Sequence, residues 1–170
     1  AKQGRDRYTQ AILPLRGKVL NTHDMSAYDI LKNKELAELL AIIGLDLSDP
    51  EILESELNYG KIAGLQDMDP DGNAIFCLLL MFFSRWPQLF KDKRVLRVQT
   101  PLFVAKKKGK PTKYYYTFEE YENTSDNLTG YEITYIKGLG SLEKEDYKET
   151  VIVNPRFIAV TLDDIEKLNM

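Results

Sequence analysis

The chain has 170 residues and a formal net charge of −3 at pH 7, with 44% hydrophobic and 29% charged residues. This length suffices for one hydrophobic core, alone or with an appendage, and the charge excludes a global attraction to nucleic acid, although a local basic strip can still bind phosphates. The single Cys77 excludes a disulfide within the chain, and the longest apolar run is too short to cross a bilayer, so we expect a cytoplasmic protein without membrane contact.

The first elements predicted are a strand, a basic turn and two helices. Residues 11–21 read as a short apolar strand that ends in the turn Arg16-Gly17-Lys18. A glycine between two cations lets the backbone approach a phosphate while both side chains bind its oxygens, although such a turn is also a common loop. A helical pattern follows over about residues 26–43, and a short acidic helix is expected after Pro50.

The next segment predicts a strand that runs into three alternating carboxylates, Asp67, Asp69 and Asp71. Such acids cannot all stay ionised without a counter-charge, and oxygen ligands without nearby His or Cys favour Mg²⁺ or Ca²⁺ over zinc. An EF-hand is excluded because its twelfth loop position, a Glu in that motif, is Leu78 here. The alternative is a solvated turn that caps a helix, and for Asp71 it weighs at least as much as a metal site.

An apolar helix over residues 75–83 and a strand over residues 95–98 complete a β-α-β unit with the strand before the acids. The acids then lie at the carboxyl end of a buried strand, just before a helix. Open α/β sheets place ligands and metals at this position. For Asp67 and Asp69, this placement favours a metal site over a solvated turn.

From Thr100 onward the pattern changes to shorter elements. The predicted elements are, in chain order, a strand at 102–105, a strand at 113–118, a helix at 118–123, a strand at 131–136 and a charged helix at about 142–150. The tip between the first two strands, Lys106 to Lys110, favours a solvated loop over DNA contact. The segment Lys137-Gly138-Leu139-Gly140 repeats the cation-glycine pattern of residues 16–18.

Several motifs occur in the order and rough spacing of one known family. They are Ala1-Lys2-Gln3-Gly4-Arg5-Asp6-Arg7, Pro14-Leu15-Arg16-Gly17-Lys18, Asp67-x-Asp69-x-Asp71-Gly72, Pro101-Leu102 and Tyr135-Ile136-Lys137-Gly138-Leu139-Gly140. Together they resemble the TOPRIM region of type IIA DNA topoisomerases, the family of gyrase B, topoisomerase IV and eukaryotic topoisomerase II. The segment Phe82-Phe83-Ser84-Arg85-Trp86-Pro87 adds a resemblance to the T-even bacteriophage branch, which would place the protein in the cytoplasm of the host cell.

The resemblance implies an α/β fold in two parts. Residues 1–100 would form the metal-binding TOPRIM core, a Rossmann-like parallel sheet flanked by helices. Residues 101–170 would form an antiparallel β appendage and the C-terminal part of the region. The implied site residues are Asp67, Asp69 and Asp71 for Mg²⁺, with Asp71 in an outer shell, and Arg16, Lys18 and Lys137 for DNA.

The resemblance also implies a function and partners. The chain would be the Mg²⁺-binding DNA cleavage and religation module of an ATP-dependent type II topoisomerase, which passes one duplex through another. Its partners would be double-stranded DNA, a winged-helix domain or subunit that carries the nucleophilic tyrosine, an ATPase domain that binds ATP, and a second copy in a homodimer or heterotetramer.

Two departures from the family pattern limit this interpretation. The family's Glu-Gly-Asp-Ser-Ala motif, whose Glu is a metal ligand and acid/base, should precede Ala1, and no tyrosine here can be assigned as the nucleophile. We therefore expect a fragment that lacks the first TOPRIM strand, holds no complete catalytic set and is inactive alone. Two alternatives remain: a stand-alone TOPRIM nuclease, and a non-catalytic DNA-binding assembly module whose acids are structural.

Overall fold

The structure, a computed structural model, describes residues 4–51 and 56–168. The described strands are, in chain order, β1 (Ile62–Gly64), β2 (Val95–Gln99), β3 (Phe103–Lys106), β4 (Lys113–Tyr115), β5 (Glu132–Tyr135) and β6 (Arg156–Ala159). The described α-helices are α1 (Ala27–Leu31), α2 (Lys34–Ile43), α3 (Pro70–Phe83), α4 (Gln88–Lys91), α5 (Phe118–Glu122), α6 (Lys144–Tyr147) and α7 (Leu162–Leu168). The acidic helix predicted after Pro50 falls on residues 52–55, outside the described part.

The predicted strand over residues 11–21 does not form. This segment has no regular structure and pairs with no strand among the described residues. A strand needs a neighbour for its backbone hydrogen bonds, and Pro14 has no N–H to offer one. Leu15 and Val19 instead pack individually against the main hydrophobic core.

The helix predicted over residues 26–43 is two helices, α1 and α2. Asn33 separates them, because its backbone is extended and its side chain accepts a hydrogen bond from the Leu36 amide at 3.0 Å, which begins a new helix. Gly44 ends α2 in the left-handed conformation (φ 88°) that favours glycine.

The first sheet has the strand order β1-β2-β6. Strands β1 and β2 are parallel, with Ile62 opposite Val95, and α3 connects them, which confirms the predicted β-α-β unit. Strand β6 is antiparallel to β2, so the sheet is mixed and not the wholly parallel sheet that was expected. Neither β6 nor α7 was predicted. In β6, Arg156, Phe157 and Ile158 are all exposed and do not alternate between apolar and polar residues.

The main core lies between this sheet and helices α1 to α4 and α7. Its most deeply buried side chains are Ile30, Leu36, Phe82, Trp86, Leu89, Phe90 and Val95. Trp86 also donates from Nε1 to the carbonyls of Asp46 and Asp49, at 3.1 and 3.2 Å. The indole thereby fixes the loop after α2 against the end of α3. None of the helices in the described ranges is both long and apolar enough to cross a membrane.

The second sheet has the antiparallel order β4-β3-β5, as the predicted hairpin required. Phe103 lies opposite both Tyr115 and Tyr135 and stacks on Tyr121 at a centroid distance of 4.2 Å. The predicted helix at 118–123 is α5. The predicted helix at 142–150 is instead a 3₁₀ turn (Leu139–Ser141), then α6, then a π-helical segment (Lys148–Val153).

Candidate metal and DNA-binding site

Asp67 lies three residues beyond the end of β1 and is held by contacts on two sides. Its Oδ1 accepts a hydrogen bond from the Leu139 amide at 2.7 Å. Arg97 on β2 donates from Nη2 to the Asp67 backbone carbonyl at 3.2 Å. Oδ2 has no hydrogen-bond partner within residues 4–51 and 56–168. One carboxylate oxygen is therefore fixed and the other can bind a cation.

Two glycines allow other backbone segments to approach Asp67 closely. A Cβ added at Gly72 would lie 2.1 Å from the Asp67 carbonyl oxygen, and a Cβ added at Gly138 would lie 3.1 Å from Oδ1. The first value is far inside van der Waals contact, so a side chain at Gly72 would displace either Asp67 or the start of α3. Sequence reasoning noted both glycines without assigning them this packing role.

Asp69 is the N-cap of α3. Its backbone is extended (φ −112°, ψ 174°), its Oδ1 accepts a hydrogen bond from the Gly72 amide at 2.7 Å, and Pro70 follows at the first helical position. The helix-capping alternative is therefore realised, but at Asp69 and not at Asp71. Asp69 is exposed, and its Oδ2 has no hydrogen-bond partner among the described residues.

Asp71 lies in the first turn of α3 and forms an ion pair with Lys18. The Lys18 Nζ and the Asp71 Oδ1 are 3.4 Å apart, and both side chains are exposed. The structure thus brings a residue predicted to bind DNA next to one predicted to lie near the metal.

The turn that carries Lys18 is fixed by its own backbone. Gly17 has φ 118°, a backbone conformation that is strained for other residues, and a Cβ there would meet no atom within 4 Å. A glycine is therefore needed for the backbone conformation and not to avoid a steric clash. The Arg16 amide donates to Glu35 Oε1 on α2 at 2.8 Å. After the turn, Val19 is buried in the core. These contacts hold the turn against α2 and the core, and the ion pair with Asp71 places Lys18 beside the N-terminus of α3.

Arg97 contacts the candidate site through the Asp67 carbonyl, and sequence reasoning did not include it. Its guanidinium lies 5.1 Å from the centre of the Phe76 ring, and burial lowers the pKa of this group from its ordinary value. Arg97 Nε and Gln66 Oε1 are buried without a hydrogen-bond partner among the described residues. The sequence contains one sign of this contact, a charged residue within the otherwise apolar strand Val95-Leu96-Arg97-Val98.

Lys137 is exposed, lies two residues beyond the end of β5 and directly precedes Gly138. Because consecutive Cα atoms are about 3.8 Å apart, the contact between Gly138 and Asp67 brings the Lys137 backbone close to the acid cluster. Of the residues predicted to bind DNA, Lys18 and Lys137 are thus both next to an acid of the cluster, whereas Arg16 is anchored through its amide to α2.

The carboxylate oxygens of Asp67 and Asp69 suit a hard cation that binds few protein ligands. Within residues 4–51 and 56–168, no three His, Cys, Asp or Glu side chains converge as a closed metal cage. Mg²⁺ does not need such a cage, because it is usually bound by one or two carboxylates and completes its octahedral shell with water and substrate phosphate. The unpaired Oδ2 atoms of Asp67 and Asp69 suit this mode of binding.

The chain is similar in sequence to parts of known topoisomerases, although no protein-family model matches it. It is 45% identical to the DNA topoisomerase small subunit of Enterobacteria phage T4 over 114 residues, which cover 66% of this chain and 70% of that protein. It is 38% identical to the DNA gyrase B protein of Thermotoga maritima over 173 residues, or 98% of this chain. It is 41% identical to the DNA topoisomerase 4 B protein of Enterococcus faecalis over 172 residues, or 96% of this chain.

The fold has a match among solved structures. The crystal structure of the Plasmodium falciparum topoisomerase II DNA-binding, cleavage and re-ligation domain superposes with a TM-score of 0.67 and 36% sequence identity, over 80% of this chain and 19% of that one. The chain spans 27% of the Thermotoga protein and 25% of the Enterococcus protein. It therefore corresponds to a part of these larger proteins.

Proposed function

The chain belongs to the type II DNA topoisomerases, and from this premise we propose that it is the TOPRIM module that binds Mg²⁺ for DNA cleavage and religation in such an enzyme. One observation carries the proposal. Asp67 follows the parallel strand β1, whose residues are half-buried or exposed, is held by the Leu139 amide and by Arg97, and keeps its Oδ2 without a hydrogen-bond partner among the described residues, two residues before Asp69.

The roles of the acids follow from their contacts. Asp67 would contribute its Oδ2 to one or two bound ions, while its Oδ1 stays on the Leu139 amide. Asp69 would contribute its Oδ2 to a second ion while its Oδ1 continues to cap α3. Asp71 would act in the outer shell, since it is paired with Lys18. Bound Mg²⁺ would supply the Lewis acidity that stabilises a leaving 3′ oxygen and holds a phosphate.

The basic side chains of Arg16, Lys18 and Lys137 would hold the DNA backbone near Asp67 and Asp69. Lys18 lies at the N-terminus of α3, where a phosphate can replace Asp71 as its partner. Arg16 precedes it on the same glycine turn, and Lys137 directly precedes Gly138, whose backbone lies against Asp67. Positive charges from these two segments would hold a phosphodiester near the acids without contact to the bases, as sequence-independent binding requires.

The remaining chemistry would come from partners. A tyrosine on a separate winged-helix domain or subunit would attack the phosphodiester, an ATPase domain would drive passage of a second duplex, and two copies of the assembly would cut the two strands. The name of the Plasmodium neighbour, a DNA-binding, cleavage and re-ligation domain, supports a role of this chain in DNA cleavage and re-ligation.

The decisive experiment is Mg²⁺-dependent DNA cleavage by the full assembly, with the tyrosine-bearing partner present. We expect Asp67→Ala to abolish protein-linked double-strand breaks while DNA binding is retained. Breaks with free 5′ phosphates would instead indicate a nuclease. Unchanged cleavage by Asp67→Ala would show that the acids have a structural role in a non-catalytic module.

A further inference from the structure

The segment Lys137-Gly138-Leu139-Gly140 lies against Asp67, although the two are distant in sequence. We propose that this segment positions the Asp67 carboxylate: the Leu139 amide fixes Oδ1, and position 138 is a glycine because a side chain there would push the carboxylate away. This inference rests on the proposed function, since it explains how a metal-binding carboxylate is oriented. It gives the segment a role that is distinct from DNA contact.

The Leu139 amide is itself held in place by packing. Leu139 begins the 3₁₀ turn that follows Gly138, and the Ser141 amide closes that turn on the Gly138 carbonyl at 2.9 Å. The Leu139 side chain packs in a small apolar cluster formed by Ile12, Leu65, Val98, Leu142, Tyr147, Val151 and Ile152. Since Leu65 is two residues before Asp67, the same cluster fixes both the donor and the segment after β1 that carries the acceptor.

The hydrogen bond selects one orientation of the carboxylate. At 2.7 Å from Leu139 N to Asp67 Oδ1, it has the short length typical of a hydrogen bond to a charged acceptor. With Oδ1 fixed, rotation of the carboxylate is restricted and Oδ2 keeps a constant direction. Mg²⁺ demands near-ideal octahedral geometry at about 2.0–2.1 Å, so a fixed ligand direction favours its binding.

Gly138 is required by space and not by backbone conformation. Its φ of −173° is extended and available to any residue. A Cβ at this position would lie 3.1 Å from Asp67 Oδ1, 3.2 Å from Cγ and 3.5 Å from Oδ2. The first two distances are shorter than ordinary van der Waals contact, so Asp67 would have to move by a few tenths of an ångström. That movement would lengthen the bond to Leu139.

Gly140 offers a matched control in the same segment. A Cβ there would meet no atom within 4 Å, and Gly140 is not among the described glycines with positive φ. Gly140→Ala therefore makes the same chemical change two residues away without touching Asp67. Lys137→Gln provides the second comparison, because it removes the segment's charge and leaves its backbone unchanged.

The test uses the full assembly and measures metal binding apart from cleavage. Mn²⁺ binding in the absence of DNA is measured by electron paramagnetic resonance. We expect Gly138→Ala to weaken it by about 10-fold or more, which is the effect typical of changing a group that orients a metal ligand. The Mg²⁺ concentration for half-maximal cleavage should rise by a similar factor, with DNA affinity changed less than about 2-fold. Gly140→Ala should match the wild type throughout. Equal Mn²⁺ affinity of the Gly138→Ala and Gly140→Ala proteins would overturn the proposal, as would a loss of DNA affinity like that of Lys137→Gln.

A second measurement does not depend on the folding of Gly138→Ala. Hydrogen exchange at the Leu139 amide should be at least about 10-fold faster in Asp67→Ala than in the wild type, and unchanged in Asp69→Ala. Unchanged exchange in Asp67→Ala would overturn the positioning role. If Asp67→Ala abolishes cleavage while Gly138→Ala binds metal normally, the proposed function stands and this inference fails. If Asp67→Ala cleaves normally, the proposed function fails, whatever the Leu139 exchange shows.

Discussion

The Nζ of Lys18 lies 3.4 Å from Oδ1 of Asp71, with the two side chains 66% and 83% exposed. An ion pair so open to water contributes little to folding, typically between about 0.2 and 1 kcal/mol. Its position matters more than its strength, because it places a mobile cation at the start of α3, beside the acids that follow β1. A DNA phosphate near the start of α3 can replace Asp71 as the ionic partner of Lys18, and the free energy of unfolding then changes little.

Lys18→Gln should therefore weaken DNA binding and leave folding nearly unchanged. We expect the slope of log K against log salt to become shallower by about one unit, since one phosphate contact is lost. The free energy of unfolding should change by less than about 1 kcal/mol. DNA affinity of the full assembly, measured by fluorescence anisotropy over a range of salt concentrations, tests this. Lys91→Gln, at the exposed end of α4, is the control, and an unchanged salt slope in Lys18→Gln would contradict the assignment.

The two roles of Asp69 can be separated by substitution. Asparagine is as good an N-cap as aspartate, whereas alanine at an N-cap costs about 1 kcal/mol. Since Asp69 Oδ1 accepts from the Gly72 amide at 2.7 Å, Asp69→Asn should keep the stability of the wild type and Asp69→Ala should lose about 1 kcal/mol. Both should weaken Mn²⁺ binding, because both remove the carboxylate charge.

Urea unfolding and Mn²⁺ titration of the same two variants check this prediction. Wild-type Mn²⁺ affinity in Asp69→Asn would show that Asp69 caps α3 and does not bind the metal.

The order of elements around the acids could be predicted because local sequence determines it. The apolar run that became α3, the strand before the acids and the strand at 95–98 each carry their own pattern. The break between α1 and α2 was missed because Asn33 caps a new helix inside a continuous apolar periodicity. Strand β6 was missed because an exposed edge strand has no apolar alternation to detect.

The sequence predicts Asp67 as a metal ligand from its place after a strand, but it could not predict which groups hold this carboxylate. Its partner at Leu139 is a backbone amide, which every residue except proline possesses, so no residue type marks it. The pair of Lys18 and Asp71 likewise depends on how the glycine turn packs beside α3. The charge of Arg97 within an apolar strand was the one local sign of a buried polar contact.

The cluster formed by Lys106, Asp146 and Tyr114 joins the second sheet to the segment after β5. Asp146 is buried, its Oδ2 lies 2.7 Å from Lys106 Nζ, and the Tyr114 hydroxyl donates to its Oδ1 at 2.9 Å. Lys106 also pairs with Glu143 at 2.5 Å, so this lysine of the predicted hairpin tip is engaged within the protein.

Lys106→Met should destabilise the protein by about 2 kcal/mol. Removing one partner of a fully buried pair costs about 3–5 kcal/mol, and the value is lower here because about a third of the Lys106 side chain is exposed. Adding Asp146→Asn to Lys106→Met should recover part of the loss, since it removes the unpaired charge. Urea unfolding is the measurement, with Lys108→Met on the exposed hairpin tip as control. Equal stability of the Lys106→Met and Lys108→Met proteins would show that the buried pair contributes nothing.

The ion pair of Glu120 with Arg156 makes stability depend on pH. The Tyr116 amide, which donates to Glu120 Oε2 at 2.7 Å, and the Arg156 guanidinium, which donates to Oε1, lower the pKa of the Glu120 carboxyl below its ordinary value. A lowered pKa in the folded state means that this stabilisation is present above the unfolded pKa of about 4.3 and is lost as the pH falls through the folded value. The bond matters for the fold because Glu120 is on α5, the helix that packs against β4 of the second sheet, and Arg156 is on β6 of the first sheet.

Glu120→Gln should consequently lower the free energy of unfolding by about 1 kcal/mol at pH 7. The difference from the wild type should shrink below about pH 4.3, because protonation then removes the same charge from the wild-type side chain. Urea unfolding at a series of pH values from 7 to 3 measures both effects. Glu119→Gln, an exposed neighbour on the same helix, should unfold like the wild type at every pH. A Glu120→Gln deficit that stays constant down to pH 3 would show that the carboxylate charge is not what joins the two sheets.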